Sequence, residues 1–202
     1  MKTIFAIVGE TGSGKDTILN EVLKDEFIKY NVTKIVSKTN RPKRDSETNC
    51  IEHIFLSKEE FEKDKVESGD NILAYTKIGD NGYEYMATYD QLTDYNFYII
   101  DPNGIKSIVN KKFNDISIIP FYIDCPKNIR RARLKSTRSD FDTEFEKRCA
   151  NEEAQFEEFK NKDGCAILLD NESIDALDDN VDYICQVVKT RIMTDFIIAN
   201  NK

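Results

Sequence analysis

The chain has 202 residues, a formal net charge of −8, and 33% charged against 40% hydrophobic side chains. That length suits one α/β domain with insertions around a real core. The acidity argues against a general nucleic-acid or membrane-surface role, because a polyanionic partner would be repelled over most of the surface.

The first strand begins within three residues, and no apolar run approaches the about 18 residues of a membrane span. No signal peptide and a cytoplasmic location are therefore expected. Cys50, Cys125, Cys149, Cys165 and Cys185 are scattered without C-x-x-C spacing. They read as small hydrophobes in a reducing compartment, not as a disulfide framework or a zinc site.

Ile4, Phe5, Ala6, Ile7 and Val8 read as a buried parallel strand that stops at glycine. Gly9, Gly12 and Gly14 follow, with Lys15 after them, which makes the G-x-x-x-x-G-K portion of a phosphate-binding loop between a strand and a helix. Glycines let backbone N–H groups converge on phosphate oxygens, the helix start adds the positive end of its dipole, and Lys15 supplies an ammonium. The next position, usually a Mg²⁺-ligating Ser or Thr, is Asp16, with Thr17 one place later. A carboxylate can hold Mg²⁺ directly or through water.

Ile18, Leu19, Val22, Leu23 and Phe27 predict one amphipathic helix from about Lys15 to Tyr30, and a strand follows at Thr33 to Val36. The segment SKTNRPKRDSETN then concentrates Lys38, Arg41, Lys43 and Arg44. It is either a solvated loop or, through two arginines three residues apart, a bidentate grip on a second phosphate. His53 to Leu56 predicts a short strand, and Ser57 with Glu60 a capping box opening a helix through about Val66. Asn71–Ile78 and Gly82–Thr88 read as strands joined by a GDNG turn, with a helical piece near Asp90 to Asp94.

Phe97 to Ile100 predicts a core strand ending in Asp101. That carboxylate either faces the crevice where parallel sheets bind ligands or only starts the turn made with Pro102, Asn103 and Gly104. Ile105, Ile108 and Val109 start a helix. Ile116 to Ile123 is another strand, whose Pro120 implies an edge or a bulge. Ile129–Lys135 and about Thr143–Phe159 are helical and carry Arg130, Arg131, Arg133 and Arg148, with Arg138 between them. Ala166–Leu169 is a last strand, and Ile174–Ile198 is helical.

GETGSGK, SKTNRPKR followed by HIFLSKEEFE, and IIDPNGIKSI stand in the order and spacing that resemble the guanylate kinase family over all but about the last dozen residues. The resemblance implies an α/β P-loop fold, three-layered around a parallel sheet. Residues 1–36 and 89–202 would form the core, 37–88 a mostly β insertion for a nucleoside monophosphate, and about 134–148 a helical lid. Gly9, Glu10, Thr11, Gly12, Ser13, Gly14, Lys15, Asp16 and Thr17 would form the ATP site, with Asp16, Thr17 and Asp101 near Mg²⁺.

By the same resemblance, Ser37, Arg41, Arg44, His53, Ala74, Tyr85, Ala87 and Asp101 would meet the acceptor nucleotide. Lys15, Arg41, Arg133, Arg138 and Arg148 would act on the transferring phosphoryl group. Three positions depart from the family pattern: His53 replaces a phosphate-contacting Tyr, Ala74 an acidic base-reading residue, and Ala87 a small hydroxyl residue. The expected activity is ATP-dependent phosphorylation of a nucleoside monophosphate, GMP or dGMP first, with relaxed base choice because the carboxylate is gone. A deoxynucleoside monophosphate kinase of other specificity, a kinase for another small phosphate ester and a non-catalytic binding module are the alternatives.

Overall fold

A computed structural model describes residues 1–44, 47–78, 82–135, 141–161 and 166–201, with backbone alone for 141–144 and 161. The core is a five-stranded parallel sheet built from β1 (Lys2–Val8), β2 (Thr33–Lys34), β7 (Tyr95–Ile99), β8 (Ile116–Asp124) and β9 (Ile167–Asp170), in the order β2-β7-β1-β8-β9. Central β1 is uncharged from Thr3 on and registers Ile4 to Asn96 on one side and to Ile118 on the other. Its alternating side chains build both halves of the interior. Phe5 and Ile7 pack with Ile18, Leu19 and Val22 of α1 (Lys15–Val22) and Ile184 and Val188 of α7 (Ile174–Asn200). Ile4, Ala6 and Val8 face Ile105 and Ile108 of α4 (Pro102–Asn110) and Phe156 of α6 (Phe141–Asn161). Each fully buried Ile or Phe contributes about 1.5–3 kcal/mol, and the result is the expected three-layer α/β/α arrangement.

A second sheet, in the order β4-β3-β6-β5, comprises β3 (Lys38–Thr39), β4 (Ile54–Phe55), β5 (Ile72–Ile78) and β6 (Tyr83–Thr88). It meets the core where Leu73, Ala74 and Ala87 join the α4 side of the interior. The helix α3 (Lys58–Ser68) opens with the reciprocal Ser57–Glu60 capping box that the sequence predicts.

Several elements differ from expectation. The single helix expected from Lys15 to Tyr30 is two, α1 and α2 (Glu26–Asn31), because Asp25 caps a new start by accepting from the Ile28 N–H. The strand expected to reach Val36 stops at Lys34, and the basic segment contributes β3 instead of being loop throughout. Near Asp90 there is only a 3₁₀ turn, Tyr89–Gln91. Helix α4 starts at Pro102, so Asn103 and Gly104 are helical and not a turn. Strand β8 is interior and its register with β1 runs unbroken, but β9 joins only from Phe121, so the edge that Pro120 demands is local.

The helix α5 (Lys127–Lys135) precedes α6. Most of the GDNG turn, Arg138 and Cys165 lie outside the described residues. Among the described residues no helix is long and apolar enough to cross a membrane, and the other four cysteines are unbridged.

Candidate active site

The turn after β1 holds its shape through glycine. Gly14, at φ 96°, caps α1 in the left-handed region. A Cβ there would come within 2.5 Å of the Asn171 Nδ2, which donates to the Ser13 carbonyl at 2.7 Å. Gly12, at φ 83°, packs against Leu134 and the Arg130 carbonyl, where a Cβ would approach to 2.9 and 3.1 Å.

The loop opens onto a cavity of about 380 Å³ between the two sheets. Gly9, Thr11, Gly12, Lys15 and Asp16 line it from the core side, and Ser37, Arg41, Arg44, His53, Ala74 and Tyr85 from the second sheet and its loops. Asp101 and Arg148 of α6 also line it. Of the expected residues, Glu10, Ser13, Gly14, Thr17, Ala87 and Arg133 do not line it. Ala87 is buried in the core with Leu73, Thr17 is solvent-exposed on α1, and Arg133 lies behind the loop, 3.3 Å from Cys125 Sγ.

On the donor side Lys15 Nζ donates to the Glu10 carbonyl at 2.9 Å. Its pKa is lowered, chiefly by burial, against the opposing pull of Glu152 and Asp16. Arg130 was foreseen only as one of several helix-borne arginines, yet it is 4% exposed and braces the loop. Its guanidinium donates to the Cys125 carbonyl at 3.0 Å, the Thr11 carbonyl at 3.1 Å and Glu10 Oε1 at 2.9 Å.

Arg41 is 5% exposed across the cavity. It donates to Tyr85 Oη at 3.1 Å, the Pro42 carbonyl at 2.8 Å and Glu47 Oε1 at 2.7 Å, and Arg44 reaches the same Glu47 oxygen at 3.4 Å. The pair is therefore a fork held together by one carboxylate. The His53 ring stands edge-on to Tyr85, centroids 5.4 Å apart, with Nδ1 buried. Burial first, then neighbouring Arg41, lowers its pKa, so it is neutral at pH 7.

Asp101 lines the cavity, and in place of the expected turn it caps a helix. Its Oδ1 accepts from the Asn103 and Gly104 N–H groups, capping α4, and from Thr76 Oγ1 at 3.5 Å, while the residue also lines the cavity. Burial raises its pKa despite those bonds. Ser37 shares a buried hydrogen bond of 2.9 Å with the Tyr98 hydroxyl.

Sequence reasoning missed Lys147, Asn151, Glu152 and Gln155. These cavity-lining residues share the face of α6 that carries Arg148, and one-turn spacing from that arginine was the available signal.

A phosphate loop at the carboxyl edge of a parallel sheet, facing an arginine fork across one cavity, defines an α/β P-loop protein of the kind that handles two phosphorylated ligands. The family model for guanylate kinase matches residues 1–188. A guanylate kinase of Campylobacter jejuni is 31% identical over 164 residues, covering 79% of this chain and 78% of that one. One of Mycoplasmoides gallisepticum is 29% identical over 141 residues, 68% of this chain and 70% of its own. The crystal structure of guanylate kinase from Anaplasma phagocytophilum superposes with a TM-score of 0.65 at 18% identity, covering 94% of this chain and 86% of that one, a likeness of fold. The chain belongs to the guanylate kinase family.

Proposed function

We propose that the protein is an ATP-dependent nucleoside monophosphate kinase that transfers the γ-phosphoryl group to the α-phosphate oxygen of GMP or dGMP. One observation carries the reading: Lys15 and the Arg41–Arg44 fork open onto the same cavity. Family membership supports the same activity. The acceptor is already an anionic nucleophile, so the protein's task is to align two mutually repelling phosphates, and no covalent intermediate is needed. Lys15 and the loop N–H groups hold the donor's phosphates, the fork with Tyr85 and His53 presents the acceptor's, and Arg148 neutralises charge on the transferring group. The unit of residues 37–88 and the lid at about 134–148 close over the substrates and exclude water.

Mg²⁺ fits the donor set. It takes phosphate and water oxygens and needs only one or two carboxylates, and Asp16 and Asp101 both line the cavity. Bound there, it would neutralise charge on the donor's phosphates. Ala74 leaves the base region without the acidic side chain of the family pattern, so base discrimination is poorer than in the family at large.

Lys15→Ala tests the assignment. Turnover should fall by about 10²–10³-fold or more while the circular dichroism spectrum stays unchanged, and near-normal turnover on every monophosphate would overturn it. Rates across the common ribo- and deoxyribo-monophosphates test the acceptor, and a clear preference for TMP, CMP or AMP would end the guanine assignment.

A further inference from the structure

Glu152 lies 141 residues from Thr11 in sequence, yet its carboxylate takes two donors of the phosphate loop. Oε2 accepts from the Thr11 N–H at 2.8 Å and Oε1 from the Thr11 hydroxyl at 2.5 Å. A backbone N–H and an adjacent hydroxyl at the mouth of a glycine-rich loop are the donors a phosphate oxygen would use. The loop therefore already holds an anion, and that anion belongs to the protein.

The placement on α6 is specific. Phe145, Cys149 and Phe156 are buried at helical spacing, and position 152 falls on the same stripe, where an apolar side chain would suit the packing. A carboxylate there is explained by its partners on the loop. The face it shares, Lys147, Arg148, Asn151, Glu152, Gln155 and Phe156, is the part of α6 that lines the cavity. Ion pairs of α6, Lys127 and Arg131 with Glu146, Lys106 with Glu158 and Lys160 with Asp124, are about a third or more exposed and each contributes little to holding it.

We propose that Glu152 is an internal latch that occupies the phosphate loop in the ligand-free protein and is displaced by ATP, so that donor binding and the repositioning of the Arg148 face of α6 are one event. The inference rests on the proposed kinase reading. An incoming phosphate and the carboxylate compete for the Thr11 donors and repel each other, so the carboxylate leaves. The cationic neighbours Lys147 and Arg148 shift with that face, and the phosphates become their partners. The latch keeps the cationic wall and the loop together until a donor arrives, at the expense of donor affinity.

Calorimetric titration of the full chain with ATP, with and without Mg²⁺, tests this using Glu152→Ala and Glu152→Gln, the latter retaining the packing volume. Removing the competing charge should tighten ATP binding about tenfold in the alanine variant, the scale of a charge-assisted hydrogen bond. The glutamine variant, which still offers a neutral acceptor to Thr11, should tighten it less. Unchanged or weaker binding in both variants overturns the latch, and a loss confined to the Mg²⁺ titrations would assign Glu152 to the metal instead. If the wild-type chain binds no ATP, the kinase reading falls. If it binds ATP and turns over while the variants bind no tighter, only the latch falls.

Discussion

Replacing Gly14 by alanine should damage the phosphate loop through two separable effects. The backbone effect comes from φ 96°, where an L-residue costs about 1–2 kcal/mol. The steric effect comes from the new Cβ lying 2.5 Å from Asn171 Nδ2. Asn171 is 3% exposed, and its own N–H is fixed to the Asp124 carbonyl at 2.8 Å, so its side chain must turn away while its backbone stays. That breaks the 2.7 Å bond to the Ser13 carbonyl, which keeps only the 3.5 Å bond from Arg133 Nη1, and takes the Asn171 amide from its partner, a further cost of about 1–3 kcal/mol. The sum of about 2–5 kcal/mol would lower Tm by roughly 4–20 °C in a chain of this size.

A double-mutant cycle separates the two effects. In an Asn171→Ala background the obstructing amide is gone, and Gly14→Ala should cost only the backbone share, about 1–2 kcal/mol. Urea denaturation followed by circular dichroism would measure all four corners. Equal costs in both backgrounds would refute the reasoning, because the clash with Asn171 would then contribute nothing.

Arg130→Met should destabilise the fold by about 3–5 kcal/mol, since it leaves Glu10 and the Thr11 carbonyl without a buried partner. Urea denaturation would measure it, and a loss below about 1 kcal/mol would mean that the brace is not structural. His53 should make stability fall with acid. Its folded pKa lies below the ordinary 6.5, so the unfolded chain takes up the proton first, and the contribution is complete above about pH 6.5 and lost as pH falls below it. His53→Gln should flatten that part of a Tm-against-pH curve, and an unchanged curve would show that the ring titrates alike in both states.

Long apolar periodicity carried the fold into the sequence. The continuous apolar run Ile4–Val8, the spacing of Ile18, Leu19 and Val22, and the Ser57–Glu60 box each appear in the structure as read. What was misread was local competition. Asp25 offers its carboxylate to a backbone N–H and breaks one helix into two, and Pro102, free to occupy a first helical position, starts α4 earlier than a turn reading allows. The loop and the fork were legible because glycine and arginine carry their chemistry at short spacing. The partners of Glu152 and Arg130 were not, since they lie 141 and 119 residues away; helical spacing from Arg148 marks the face that carries Glu152 but not what its carboxylate meets. Ala87 rests on the family resemblance alone; it pairs with Ala74 across β5 and β6, yet it lies in the core and only Ala74 of the two lines the cavity.

Because β1 sends Phe5 and Ile7 one way and Ile4, Ala6 and Val8 the other, the molecule has two chambers with a single shared wall. Among the described residues the α1–α7 chamber reaches the cavity at Ile99, whereas Ala74, Tyr98 and Ile100 border it from the α4–α6 chamber. Redesign aimed at a different nucleobase can therefore be confined to that compartment, leaving the α1–α7 compartment as untouched ballast, and changes in the two should combine additively wherever they share no neighbour across the strand.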